Sequence, residues 1–152
     1  MQETVGLCSK KFFGGNYLVV NMLNFYFNIN LTEYNKNQTK IDYNASQYPE
    51  KIQVVGVLKI EIDNKIFFYE PYFPILEFIR TLEQWDKTSS MFYNGIETED
   101  NPLISFITSD EGWIIKSPWQ LFEDNNFFTK EELLESICNL TESIKKQLES
   151  IE

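Results

Sequence analysis

One stretch decides how this 152-residue chain is expected to fold: residues 91–122, MFYNGIETEDNPLISFITSDEGWIIKSPWQLF. Apolar and polar residues alternate along it, which is typical of half-buried strands, and two acidic segments interrupt the alternation. The pattern predicts three short strands, at 91–96, 102–108 and 112–116. The last two are joined by Ser109-Asp110-Glu111-Gly112, which places glycine at the left-handed position of a hairpin turn.

Upstream of this stretch, the same alternation predicts three further strands. Apolar residues alternate over 23–31 and again over 51–62. Asp63-Asn64 follows, and two residues that tolerate positive φ predict a hairpin into an apolar run over 65–69. We expect Pro71 to end that third strand, because proline cannot donate to a sheet ladder.

Two segments have helical spacing. The first, 73–86, predicts an amphipathic helix with Pro74 in its first turn, where a missing N–H costs nothing. The second, 129–150, begins with Thr129 and Glu132, the spacing of a capping box. Its apolar stripe recurs every three or four residues: Leu133, Ile137, Leu140, Ile144, Leu148 and Ile151.

The order of these elements, β-β-β-α-β-β-β-α, predicts an α+β fold. Because hairpin-length links join the strands, we expect a mainly antiparallel sheet of five to six strands, with the two amphipathic helices packed on one face. Residues 22–152 are expected to form a single domain. Residues 1–21 lack periodicity and are expected to be a loosely ordered N-terminal segment, and 32–50 reads as a polar loop.

The charge of the chain is unevenly distributed. Its net charge is −10, with +2 on residues 1–60 and −12 on residues 61–152. Such a field repels phosphate backbones and anionic lipid, so we expect neither a nucleic-acid nor a membrane partner. It attracts basic proteins, and the alternative is that the acidity serves only solubility.

Several residue types that carry chemistry are missing. The chain has no histidine, which removes histidine-activated nucleophiles and histidine-ligated zinc, and no phosphate-binding glycine loop occurs. Cys8 and Cys138 are the only cysteines, and we expect both to be free thiols, as suits a reducing cytoplasm. We find no signal-peptide cleavage pattern and no transmembrane run, and we expect a cytoplasmic protein with no metal or cofactor.

The acidic turns and the nearby aromatic residues are the candidate binding groups. Solvated turns and core packing are the ordinary explanations for such residues, but Trp119 follows Pro118 outside a regular strand and is expected to be partly exposed. Trp113 and Ile115 are expected to share one strand face. The partner-binding candidates are Tyr93, Glu97, Glu99, Asp100, Asp110, Glu111 and Trp119.

Two other kinds of function stay open at this stage. A carboxylate-dependent enzyme or small-ligand binder could use Glu97, Glu99 or Asp110, and it would need a pocket with two inward carboxylates about 5–9 Å apart. A structural subunit could instead dimerise through an exposed edge of the strand at 23–31. The sequence leaves the oligomeric state open.

Three motifs carry a resemblance to a known family. They are YFPILE at 72–77, MFYNGIE at 91–97 and WIIKSPWQLF at 113–122, followed by the amphipathic C-terminal helix. Over residues 50–150 the chain resembles a family of small bacterial domains of unknown function, from which no activity carries over. In size and charge, though not in motif, it is also similar to immunity proteins of interbacterial toxins. Our hypothesis is a non-enzymatic, acidic protein-binding module that inhibits a basic, toxin-like partner.

Overall fold

The computed structural model describes residues 22–30, 54–95 and 98–150. These ranges contain strands and helices in the predicted order, and the α+β class is confirmed. The strands are β1 (Leu23–Ile29), β2 (Val55–Ile62), β3 (Lys65–Pro74), β4 (Met91–Tyr93), β5 (Ile104–Ser109) and β6 (Gly112–Lys116), and the helices are α1 (Ile75–Gln84) and α2 (Lys130–Ser150).

The strands form two sheets and not one. Each sheet has three antiparallel strands, in the orders β1-β2-β3 and β4-β5-β6, so the prediction of one sheet of five to six strands is wrong. The reason is that α1 begins directly after β3 and turns the chain before β4 starts. The end of β3 then meets β4 through side chains, with the rings of Phe73 and Tyr93 5.7 Å apart, and not through backbone pairing.

Each helix contacts strands of both sheets, where two helices on one face of a single sheet were expected. Helix α1 contacts β2 and β4, and helix α2 packs mainly on β1 and also contacts β6. The apolar stripes of both helices are buried as their spacing predicted, and the stripe of α2 includes Leu133, Ile137 and Leu140. The helices therefore close the core that lies between the sheets.

Strand β3 passes through Pro71 and continues to Pro74, so the prediction that Pro71 ends it is wrong. The pairing with β2 shifts register here: Glu70 pairs with Leu58 and Phe73 with Gly56. Two residues of β3 thus face one of β2, which is a bulge, and a proline is tolerated at a bulge because no ladder hydrogen bond is lost.

Local turn and cap signals in the sequence predicted the structure well. Asp63 and Asn64 have φ of 52° and 68° and form the two-residue hairpin, while Gly112 has a φ of 131°. Thr129 Oγ1 accepts a hydrogen bond from Glu132 N at 3.0 Å, and Glu132 Oε1 accepts one from Thr129 N at 2.8 Å, which confirms the capping box. Helix α1 begins at Ile75, two residues later than predicted.

Both edges of the first sheet are occupied by groups from elsewhere in the chain. At β1, the side-chain amide of Gln147 accepts from Ile29 N at 2.9 Å and donates to Phe27 O. At β3, Leu121 N donates to Phe67 O at 2.8 Å. These bonds satisfy edge groups that would otherwise be open to a further strand.

The two edges of the second sheet differ from each other. Strand β6 exchanges two backbone hydrogen bonds between Trp113 and Phe128, at 2.9 and 2.7 Å. The opposite edge, β4, is only three residues long, and a short edge strand is a poor template for pairing.

The structure contradicts one of the remaining predictions, and several others concern residues that it does not describe. Cys138 is 3% exposed and disulfide-bonded, so the prediction of two free thiols is wrong for this residue. Cys8, the N-terminal segment 1–21 and the polar loop 32–50 lie outside the described residues. Within the described ranges, no helix is both long enough and apolar enough to cross a bilayer.

Helix α1 ends in a turn that the carboxylate of Asp86 organises. Asp86 Oδ1 accepts hydrogen bonds from the backbone N–H groups of Ser89 and Thr88, at 2.9 and 2.8 Å, and from Ser89 Oγ. Led by the bond from the Ser89 backbone, these donors lower the pKa of Asp86 from its ordinary value to about 2. The Trp85 indole N–H donates to Ser89 O at 2.6 Å, so the turn also holds a core side chain.

We expect Gly56→Ala to lower the free energy of unfolding by about 1–3 kcal/mol, measured by urea denaturation. A β-carbon at Gly56 would lie 2.1 Å from Asn28 O, and a backbone carbonyl in a paired strand cannot easily move away. Gly95→Ala is the control, because its β-carbon would first meet the Thr98 side chain, at 3.3 Å. Equal effects of the two substitutions would show that the close approach of β1 to Gly56 is not what requires glycine there.

Thr129→Ala should destabilise the protein by about 1 kcal/mol, because the N-terminus of α2 loses a capping acceptor. Thr129→Ser keeps the hydroxyl and should stay close to the parent in thermal and urea unfolding. If the serine and alanine variants were equally destabilised, the hydroxyl would not be the cause.

The contribution of Asp86 should depend on pH. Its pKa is lower in the folded than in the unfolded chain, so its stabilising effect is complete above the unfolded pKa and is lost as the pH falls toward about 2. Asp86→Ala should therefore lower the melting temperature at pH 7 and differ less from the parent near pH 2. A difference that stayed constant with pH would show that the carboxylate charge plays no part.

Candidate functional site

A cavity of about 160 Å³ lies where the ends of β3 and β4 meet the start of β5 and the segment 117–122. All three sequence motifs contribute to its walls, although they are far apart in the chain. Among its lining residues are Glu70, Tyr72, Phe73, Tyr93, Gly95 and Trp119.

The end of β3 supplies one wall. Tyr72 is 65% exposed, while the next residue, Phe73, is buried in the core. The half-buried carboxylate of Glu70 accepts a hydrogen bond from Tyr72 N at 3.0 Å through Oε2. The bulge at Pro71 turns this end of the strand so that a carboxylate and a tyrosine stand beside the same opening.

Tyr93, at the end of β4, forms the floor. It is 1% exposed, and its hydroxyl donates to Glu77 Oε1 at 3.1 Å. Its ring packs against Phe78 and Phe73, with centroids 5.2 and 5.7 Å away. Because the hydroxyl is engaged with Glu77, Tyr93 offers the cavity ring surface and not a donor.

Trp119 forms the opposite wall and is partly exposed, as predicted. Its indole Nε1–H donates to Asp100 Oδ2 at 2.8 Å, and its ring stacks on Phe68 with centroids 6.2 Å apart and planes 10° from parallel. The backbone N–H of Trp119 donates to Ser117 Oγ, and Ser117 N donates to Gln120 Oε1, each at 3.0 Å. The S-x-W-Q spacing of the motif therefore fixes the position of the indole.

The acidic turn after β4 is held by Asn101. The Asn101 side chain accepts from Gly95 N at 2.9 Å and donates to Gly95 O and Thr98 O, at 3.2 and 2.8 Å. Asp100 N donates to Thr98 Oγ1 at 3.0 Å. These bonds place the Asp100 carboxylate within reach of the Trp119 indole.

The structure brings some of the sequence candidates together and separates others. Tyr93 and Trp119 line the cavity, Asp100 is hydrogen-bonded to the Trp119 indole, and Glu99 is exposed in the turn beside Asp100. Asp110 and Glu111 are exposed in the turn at the far end of β5, about 20 Å away along the strand. Glu97 lies outside the described residues.

Among the lining residues that sequence reasoning missed are Glu70 and Tyr72, which supply the carboxylate and the exposed ring of this site. Both lie beside Pro71, which was interpreted only as the end of a strand. A proline within an apolar strand also marks a bulge, and bulges often redirect side chains next to functional sites. That signal, together with the position of Tyr72 at the start of the YFPILE motif, could have identified this wall.

Among the described residues, two carboxyl groups have a raised pKa, and neither lines the cavity. Burial raises the pKa of Glu83, against the opposing effect of Arg80 and Lys87. Burial also raises the pKa of Asp124, whose Oδ2 is buried without a hydrogen-bond partner while Asn126 bonds the carboxyl. Within the described ranges, no three acidic or cysteine side chains gather in a way that could hold a metal ion.

Comparison with other proteins identifies the family but no relative of known activity. No curated protein and no solved structure matches the chain. A family model described as Domain of unknown function (DUF7878) matches residues 27–150, a range that includes all three motifs and both helices. The resemblance seen in the sequence over 50–150 thus extends into β1, and the chain belongs to the DUF7878 family.

Proposed function

We propose that this protein is a non-enzymatic binding module for a basic protein, and that it acts as an immunity-like inhibitor of a bacterial toxin. The observation that carries the proposal is the mouth of the cavity, where the rings of Tyr72 and Trp119 stand beside the carboxylates of Glu70 and Asp100. Aromatic anchors with acidic neighbours are suited to a positively charged protein surface.

The exposure of the aromatic groups supports a protein partner. Tyr72 is 65% exposed at the end of a strand, and Leu121 is similarly exposed two residues after Trp119. Tyrosine and tryptophan contribute large contact areas at low entropic cost, and for this reason they dominate the binding energy of many interfaces.

Charge supports a basic partner. Glu70, Glu99 and Asp100 lie at or beside the cavity, and none of them forms an ion pair with a described lysine or arginine. The net charge of −12 on residues 61–152 adds a long-range field that would steer a cationic protein toward this surface.

The size of the cavity favours a side chain over a metabolite. Pockets for small-molecule ligands usually measure roughly 300–1,000 Å³, and this one measures about 160 Å³. Within the described residues, Glu70 is the one carboxylate in its lining. A glycosidase-type pair of inward carboxylates therefore has less support here than a protein-binding role.

The sheet edges weigh against the third possibility, a dimer built by strand pairing. Gln147 already bonds Phe27 and Ile29 on β1, the edge that was considered for this role. A second copy would have to displace these bonds before it could add a strand.

A cytoplasmic location belongs to this proposal as well, and one observation stands against it. Cys138 is disulfide-bonded, and structural disulfides are rare in reducing compartments. Cell fractionation of the native protein would decide whether it is located in the cytoplasm or in an oxidising compartment.

The test is affinity capture from a lysate of the native host, with the captured protein identified by mass spectrometry. We expect one basic protein to bind the parent chain and to associate more slowly as salt is raised. Tyr72→Ala should weaken the complex by at least about tenfold, because it removes an interface anchor. Co-expression of the captured protein with and without this chain would then test whether inhibition protects the cell.

The matched control is Tyr69→Ala. Tyr69 lies on the same strand and is also exposed, at 51%, but it does not line the cavity. Its substitution should change the affinity less than about twofold, as expected for a residue outside the interface. Capture of an acidic protein, or equal losses for both tyrosine variants, would overturn the proposal.

A further inference from the structure

We propose that the cavity seats an arginine side chain of the partner, with its guanidinium group between the aromatic walls and the Glu70 carboxylate. This inference rests on the proposed function, because it names the group that a basic partner would insert. Some polar atoms of the cavity walls already have hydrogen-bond partners within the protein, and others can bond to a ligand.

Two of the aromatic lining residues, Tyr93 and Trp119, already use their polar atoms within the protein. The Tyr93 hydroxyl is bonded to Glu77, and the Trp119 indole N–H is bonded to Asp100. The Phe68 ring lies nearly parallel to the Trp119 ring, with centroids 6.2 Å apart. What Tyr93 and Trp119 present to the cavity is therefore ring surface, and the indole of Trp119 is further polarised by its anionic acceptor.

Among the described lining residues, the one charged side chain is the carboxylate of Glu70. Glu70 uses Oε2 to hold Tyr72 N, and no group among the described residues bonds Oε1. The carboxylate is half-buried beside apolar rings, where water screens it less than at an open surface. A ligand that donates to Oε1 would complete its hydrogen bonding.

Aromatic rings around a single carboxylate suit a ligand that carries a positive charge at the end of an apolar chain. A metal ion would need several converging oxygens, and Glu70 is the one carboxylate among the described lining residues. Arginine fits better than lysine, because its planar guanidinium stacks on aromatic rings while its N–H groups still reach a carboxylate. The volume of about 160 Å³ suits one side chain.

The test uses four blocked tripeptides, Gly-X-Gly, in which X is arginine, citrulline, lysine or norleucine. Citrulline has nearly the shape of arginine without its charge. Each peptide is titrated at constant ionic strength into the full chain, and the indole N–H signal of Trp119 is followed by NMR, assigned with Trp119→Phe. The signals of the buried Trp85 and Trp113 report in the same spectra whether the fold is intact.

We expect the arginine peptide to shift the Trp119 signal saturably in the millimolar range, as suits one anchoring side chain. Citrulline should bind at least about tenfold more weakly, because a hydrogen bond to a charged group is lost. Glu70→Gln should weaken arginine binding to a similar extent. Glu111→Gln removes the same charge from the exposed turn at the far end of β5, away from the cavity, and should leave the affinity within about twofold.

Three results would overturn the inference: equal binding of citrulline or norleucine, tighter binding of lysine than of arginine, or no saturable shift with arginine. Comparison of the four peptides on the parent chain is decisive even if Glu70→Gln fails to fold. If the peptides fail while Tyr72→Ala still abolishes capture of a basic protein, the arginine assignment is wrong and the binding module stands. If arginine binds but no basic protein is captured, the proposed function is wrong.

Discussion

Contact among the rings of Phe73, Phe78 and Tyr93 is the constraint on which the rest of this structure depends. The three come from β3, α1 and β4, the places where the chain leaves one sheet and enters the other. Their centroids lie 5.2–5.7 Å apart, and each ring is at most 1% exposed. Aromatic pairs of this kind contribute about 0.5–1.5 kcal/mol each beyond burial. They join two sheets that share no backbone pairing.

The same ring contact fixes the position of the cavity. Phe73 and Tyr93 belong both to the ring cluster and to the cavity wall, so the site is built on packed core and not on a free loop. Sites supported in this way hold their side chains more rigidly than sites on loops. Gln147, Leu121 and Phe128 bond to the outer edges of β1, β3 and β6, which makes these edges less open to pairing with a further strand.

The candidate site was only partly predictable from sequence. Asp100 and Trp119 were identified because acidic turns and tryptophans outside strands are typical of interfaces, and the structure joins them by a hydrogen bond. Tyr93 was also identified, but it is buried and contributes its ring. Glu70 and Tyr72 were missed, since their position depends on the bulge at Pro71, and a bulge is set by the pairing with Gly56 across the sheet. Asp110 lies in an acidic turn, as Asp100 does. The two turns are at opposite ends of β5, so Asp110 is far from the cavity.

The sequence by itself determined the local structure: the order of strands and helices, the Asp63-Asn64 hairpin, the Thr129–Glu132 capping box and the buried faces of both helices. These features depend on residues a few positions apart, whose side chains and backbone interact directly with one another. Only the tertiary structure decided that the strands divide into two sheets, that Cys138 is disulfide-bonded and that three distant motifs share one cavity. Such features depend on contacts between residues far apart in the chain, and the periodicity of a single segment carries no record of its neighbours in space.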